Sequence, residues 1–159
     1  ESTWGGVQPE VVDMEPVKDM FSHEEISTFN AKYNGFRQFD DCTGVCRFVA
    51  PAPKPLLECF NAATGWDWSM DDIFTLGKRV VNQLRVFNFR HGLKKEMERP
   101  STRYGSPPVD GPAKGVDIMA KWDWMVENYY TLMGWDPQTG KPLPETLEKL
   151  GLGESAKDL

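Results

Sequence analysis

Residues 69–92, SMDDIFTLGKRVVNQLRVFNFRHG, decide the fold class. Ser69 with Asp72 three positions on is a capping-box pattern, Asp standing where Glu is usual. Asp71 and Asp72 fall in the first turn, where the helix dipole favours negative charge. Ile73, Leu76, Val80, Leu84 and Phe87 then recur at helical spacing and form an apolar stripe. Lys78, Arg79, Arg85 and Arg90 lie off that stripe, and Gly92 stops the helix. The segment predicts a long amphipathic helix with a defined start and end.

Working outward, the same period repeats. On the N-terminal side, Ser22 and Glu25 form a second capping box. Ile26, Phe29, Tyr33 and Phe36 follow, which predicts a helix from about His23 to Gln38. Val11–Met14 and Val17–Phe21 are short apolar pieces broken by Pro16, read as one or two helical turns or as loop lying on a neighbour. DDCTGVCRFV, residues 40–49, has a turn composition around Thr43-Gly44. Pro51, Pro53 and Pro55 predict an extended connector, leading into a short helix over Leu56–Ala63 that ends at Thr64-Gly65.

On the C-terminal side, residues 94–115 hold four Pro and three Gly and read as a long loop. A helix is expected from about Asp117 to Met133, with Trp122, Met125, Tyr129 and Leu132 on its apolar face and Gly134 closing it. Pro144 opens a last short helix that Gly151 closes, and the polar tail after Leu152 reads as frayed. Gly65-Trp66-Asp67 and Gly134-Trp135-Asp136 echo one another after helices, though two copies do not make a repeat architecture. No segment alternates with period two. The class is all-α, as two small helical lobes: residues 1–93, a connector over 94–115, and residues 116–159.

Composition narrows the function. The 159 residues carry 18 Lys+Arg and 24 Asp+Glu, a net charge of −6. An acidic chain without a basic run is a poor nucleic-acid binder, because phosphate neutralisation needs clustered Lys and Arg. No apolar run is long enough for a membrane helix, and ESTWGGVQPE lacks the basic start and apolar stretch of a signal peptide. Three cysteines do not close a disulfide framework.

Few residues point to chemistry. Cys42 and Cys46 stand four apart on the glycine-bearing turn, and thiolates suit iron–sulfur clusters and zinc. Two cysteines do not complete a four-ligand site, and three structural thiols in a reducing compartment is the plainer reading. Cys59, apolar-flanked in LLECFNAA, reads as a buried small hydrophobe. His23 and His91 stand at helix ends and read as surface residues rather than catalysts. Asp40-Asp41 is either a carboxylate pair or a solvated turn. No catalytic triad order, P-loop, G-x-G-x-x-G or H-E-x-x-H occurs. The residues alone describe an acidic helical module with one chemistry-bearing loop.

That loop carries a resemblance. Asp41-Cys42-Thr43-Gly44-Val45-Cys46 is similar to D-x-x-G-L-C, the second pterin-binding motif of the tungsten-containing aldehyde ferredoxin oxidoreductase family, with Val for Leu. Phe60-Asn61-Ala62-Ala63-Thr64-Gly65-Trp66-Asp67 resembles the family's N-A-x-T-G-W-D segment. Gly77-Lys78-Arg79 and Arg85-Val86-Phe87-Asn88-Phe89-Arg90-His91-Gly92 resemble its G-x-R … R-x-F-N-x-R-x-G helix. Tyr129-Tyr130 through Gly134-Trp135-Asp136, then Leu147 to Leu152, resemble its terminal Y-Y-x-x-x-G-W-D … L-x-x-L-G-L. The motifs are collinear over roughly residues 25–153.

The resemblance implies the C-terminal, all-α part of a longer cytoplasmic and largely anaerobic enzyme that oxidises aldehydes to carboxylic acids with ferredoxin as acceptor. It implies a tungsten (or molybdenum) bis-pterin and a [4Fe–4S] cluster. Cys46 would be one cluster ligand and Asp41 a pterin partner, while Gly44 and Val45 shape the turn and offer backbone N–H groups. Cys42 falls on a variable position and is not made a ligand. The family's C-x-x-C-x-x-x-C cluster motif, first pterin motif and β-rich domain are not in these residues. The chain is therefore expected to be a fragment or a split subunit, inactive alone and partnered by the N-terminal remainder. It is also expected to expose an apolar patch around residues 36–60. One departure bears on substrate: Lys94–Arg103 lacks the D-D-x-L-P-x-R run of aldehyde oxidoreductases. An active-site subunit like that of ATP-independent benzoyl-coenzyme A reductase is the alternative redox reading, and a non-catalytic helical interaction module is the other.

Overall fold

The reciprocal cap at Ser69 forms as its residues dictate. The Ser69 amide donates to Asp72 Oδ2 at 2.7 Å, and the Asp72 amide donates back to Ser69 Oγ at 3.3 Å. The Ser69 amide, and after it the Ser69 hydroxyl that donates to Asp72 Oδ2 at 2.7 Å, hold the Asp72 carboxyl below the ordinary carboxylate value. The helix that follows is continuous over Met70–Arg90.

The computed structural model describes residues 15–46, 48–49, 52–157 and 159. Its helices are α1 (His23–Tyr33), α2 (Gln38–Thr43), α3 (Pro53–Thr64), α4 (Met70–Arg90), α5 (Thr102–Gly105), α6 (Trp122–Met133), α7 (Pro144–Lys149) and α8 (Gly153–Ala156). Single 3-10 turns occupy Lys95–Glu98 and Ile118–Lys121. Among the described residues the only β feature is an isolated antiparallel bridge between Trp135 and Pro142. The all-α class holds. The pieces Val11–Met14, Pro51 and Arg47 lie outside the described residues.

The chain separates into two compact units. One takes in Tyr33–Leu84, the other Val17–Lys32 with Arg85–Leu159, so α4 contributes to both.

In the first unit, Phe39 from α2, Leu57 from α3 and Ile73 from α4 form the buried core. The Phe39 ring meets Phe60 edge-on at 5.4 Å. Asn61 Nδ2 donates to the Trp68 carbonyl at 2.8 Å and Asn61 Oδ1 accepts from the Trp68 amide at 3.1 Å, which ties the Gly65-Trp66-Asp67 turn to α3.

Two boundaries differ from expectation here. The helix predicted to run to Gln38 ends at Tyr33 and resumes as α2. Gly35, at φ 85°, turns the chain and lies backbone-to-backbone against Gly77 of α4. That close approach outweighs the periodicity of Ile26–Phe36. Helix α3 begins at Pro53 instead of Leu56. Pro53 and Pro55 occupy its first turn, where the missing N–H would have had no partner.

The second unit buries Met125, Tyr130 and Met133 of α6 with Trp135 and Leu147. Asn128 Nδ2 donates to Ser27 Oγ at 2.8 Å and joins α6 to α1. Thr146 Oγ1 donates to the Gly134 carbonyl at 2.7 Å and joins α7 to the end of α6. Leu132, expected inward, is exposed, because the face turned to the core is centred on Met125, Tyr130 and Met133. Asp117 caps the 3-10 turn that precedes α6 instead of starting the α-helix itself; its side chain accepts from the Met119 amide at 2.9 Å.

The stripe read along α4 also bends. Ile73 is buried and Leu76 half-buried, but Leu84 and Phe87 are about half exposed while Arg85 and Val86 are buried. A step of one residue turns a helix by about 100°, so the buried face of α4 shifts along its length.

Candidate functional site

The D-x-x-G-x-C motif sits on α2 and the turn after it. Phe39 is 1 % exposed and anchors the short helix in the first unit's core. Asp40 is fully buried and ion-paired to Arg37 at 3.0 Å. The two adjacent carboxylates are therefore neither a solvated turn nor a facing pair: Asp40 is structural and Asp41 is exposed. Thr43 Oγ1 turns back onto the Phe39 and Asp40 carbonyls, each at 3.0 Å, and closes the helix end.

Gly44 then takes the left-handed conformation at φ 70°. Its amide donates to the Asp41 carbonyl at 3.2 Å, and the Val45 amide donates to the Asp40 carbonyl at 3.0 Å. This is the two-bond helix-end motif that glycine permits. The N–H groups of Gly44 and Val45, expected to offer themselves at the turn, here serve the helix cap. What the turn leaves open is the bare face of Gly44, where an added Cβ would meet nothing within 4 Å. Val45 is half-buried and Cys46 exposed.

The four residues picked out in the sequence thus share one helix end. An exposed carboxylate lies before an open glycine and an exposed thiol after it. Cys42 is exposed as well. Cys59 is exposed too, against expectation. On α3 the inward face runs through Pro53, Leu57 and Phe60, and Cys59 is two residues from Leu57, nearly opposite on the helix. Downstream, Phe48 and Val49 are 88 % and 77 % exposed.

The donor set fits one corner of an iron–sulfur site plus one edge of an amino-pyrimidine. A thiolate suits iron, and a carboxylate accepts the N–H groups such a ring presents. It does not amount to a whole site. Among the described residues, no group of three His, Cys, Asp or Glu side chains is placed to hold a metal ion. His23 Nε2 meets the Asp117 carbonyl, and His91 stacks on Phe87 at 4.1 Å.

One polar cluster escaped the sequence reading. Arg85, read as lying off the apolar face, is 7 % exposed in the second unit. It donates to both carboxylate oxygens of Glu98, which also accepts from the Tyr130 hydroxyl. Its Nε donates to the Gly140 carbonyl at 2.9 Å, and its guanidinium carbon lies 4.4 Å from the Trp135 ring centre. Burial and then the Glu98 hydrogen bond push the Tyr130 hydroxyl up to about 12. Burial opposes ionisation of Glu98, but the bonds from Arg85 and Tyr130 still hold its carboxyl below the ordinary value. The available signal was an arginine between apolar neighbours, with Tyr130, Trp135 and Gly140 all in one later segment.

With this geometry in place, known proteins give the chain its relatives. The family model described as aldehyde ferredoxin oxidoreductase, domains 2 & 3, matches residues 5–152. The chain belongs to this family. It is 36 % identical over 118 residues to the tungsten-containing aldehyde ferredoxin oxidoreductase of Pyrococcus horikoshii, covering 72 % of this chain and 19 % of that protein. The enzyme of the same name from Pyrococcus furiosus is 34 % identical over the same shares. The aliphatic sulfonate oxidoreductase, WOR-like subunit, of Pyrococcus furiosus is 30 % identical over 134 residues, covering 76 % of this chain and 20 % of that protein. The chain thus matches about a fifth of the length of these relatives. No helix among the described residues is long and apolar enough to cross a membrane.

Proposed function

We propose that this chain is the C-terminal helical part of a tungstopterin and iron–sulfur oxidoreductase that converts an aldehyde and water to a carboxylic acid. Two electrons and two protons leave in that reaction, and a ferredoxin-type carrier takes the electrons. The observation that carries this reading is the end of α2: Asp41 and Cys46 are both exposed on either side of the open Gly44. Asp41 would hold a pterin edge and Cys46 one iron of a [4Fe–4S] cluster, with the other ligands supplied by the N-terminal remainder of the enzyme. When bound, the metal–pterin supplies the two-electron chemistry. This chain's own part is to place a carboxylate and a thiolate a few residues apart on a helix end, so that pterin and cluster stay close and the electron route between them is short. Three exposed thiols suit a reducing, cytoplasmic setting.

The test is Cys46→Ser in the complete enzyme. The reduced-cluster electron paramagnetic resonance signal should change or vanish, helical content by circular dichroism should stay the same, and Cys42→Ser should leave the signal intact. An unchanged signal in Cys46→Ser would overturn the assignment. The sulfonate-named relative motivates a second substrate arm, an aliphatic sulfonate offered beside aldehydes; turnover of the sulfonate alone would replace the aldehyde reading.

A further inference from the structure

We propose that Gly35 and Gly77 are a positioning pair that sets where Asp41 and Cys46 stand, resting on the cofactor-contact reading above. The two glycines meet backbone to backbone inside the first unit. A Cβ on Gly77 would lie 2.2 Å from the Gly35 carbonyl oxygen, and one on Gly35 would lie 2.4 Å from the Gly77 carbonyl oxygen. Neither neighbour is a flexible side chain that can swing away, so only displacement of the chain relieves either overlap.

The direction of that displacement gives the pair its role. The Gly35 carbonyl also accepts the Gln38 amide at 2.9 Å, the bond that opens α2. The oxygen that a methyl on Gly77 would push is thus the oxygen from which the motif helix starts. Helix α2 has only six residues, and it and the turn that leads into it meet α4 at two places. One is Phe39 in the cluster with Ile73, and the other is Gly35 against Gly77, one helical turn further along. Two contacts fix both the position and the tilt of a short rod. With one contact changed, α2 pivots about Phe39, and the outward Asp41 and the following Cys46 move with it. The overlap requires a shift of roughly 1 Å, the scale at which remote changes cost about a hundredfold in rate through misplaced groups. Neither glycine touches a cofactor on this account; they act through α2.

The experiment is Gly77→Ala in the full-length parent enzyme, with Leu147→Ala in the second unit's core as a control for destabilisation. In Gly77→Ala the reduced-cluster resonance should change line shape or fall in occupancy per chain. The value of kcat/KM should drop tenfold or more, and helical content should be retained. Leu147→Ala should melt lower and keep the wild-type signal. A wild-type signal in Gly77→Ala, or the same change in Leu147→Ala, overturns the positioning role. If Gly77→Ala does not accumulate folded, Ile73→Val decides: it loosens the other contact and should broaden the signal, and an unbroadened signal overturns the proposal. Cys46→Ser separates the two levels. A signal lost there but kept in Gly77→Ala removes the pair's role and leaves the cofactor reading standing, whereas a signal unchanged in Cys46→Ser removes both.

Discussion

The Arg85 guanidinium is packed against the Trp135, Phe89 and Tyr130 rings, with its ring-centre distances between 4.4 and 5.2 Å. Its charge is answered by Glu98, and the second unit closes around the pair. Removing Arg85 leaves the half-buried Glu98 charge without its counter-ion, so Arg85→Ala should destabilise by about 3 kcal/mol, the lower end for such pairs because Glu98 is partly exposed. The pH profile follows from the directions of the shifts. Glu98 is depressed in the folded state, so its contribution is present above the ordinary value of 4.5 and lost as pH falls through the folded value. Tyr130 is raised, so its contribution is present below 10.0 and lost as pH climbs toward about 12. Melting temperature against pH should therefore show a plateau between these limits, and Glu98→Gln should lower the plateau and flatten its acid limb. An acid limb identical to wild type in that variant would show that Glu98 does not titrate with folding. Asp41 and Cys46 were legible as residues from their motif alone. Arg85 was not, because a basic residue between apolar neighbours reads as solvated until its acidic and aromatic partners are known.

Among the elements, α4 was the most legible, because its signals are local. The cap joins residues three apart, and the acidic first turn and basic last turn suit the dipole. Ser69→Ala should cost about 1 kcal/mol in thermal or denaturant unfolding. It should also let the Asp72 carboxyl rise toward its ordinary value in an NMR titration, since the Ser69 hydroxyl is one of the groups holding it down. An Asp72 titration that stays put in the variant would mean that the Ser69 amide alone sets it. The start of α3 at Pro53 was readable in principle, since proline favours the first turn, but three closely spaced prolines first suggest a connector. The break between α1 and α2 was not readable: the apolar spacing continues through Phe36, and only the arrival of Gly77 requires Gly35 to turn. Likewise Leu84 and Phe87 belong to the stripe by spacing, and their exposure depends on what packs beside that stretch of helix.

At the scale of the molecule, two compact units are built on one acidic chain of net charge −6. The relatives are about four times longer, since the 118 residues that match make up 72 % of this chain and 19 % of theirs. On the proposed reading, the chain expressed alone and supplied with iron and sulfide should reduce no viologen dye when given an aldehyde, while its circular dichroism shows the helices formed. Aldehyde-dependent dye reduction by the chain alone would overturn the reading of a partial site. The sequence by itself determined the helical class, the capped ends of the long helix and the identity of the motif residues. All of these rest on contacts within a few positions, where spacing and backbone preference act directly. Only the tertiary structure decided that Asp40 is buried while Asp41 is exposed, that Arg85 lies among aromatic rings, and that two glycines bring the turn before α2 against α4. Those outcomes depend on partners that approach from distant positions in the chain. The free energy of burying a charge, or of letting two backbones touch, is set by the group that arrives.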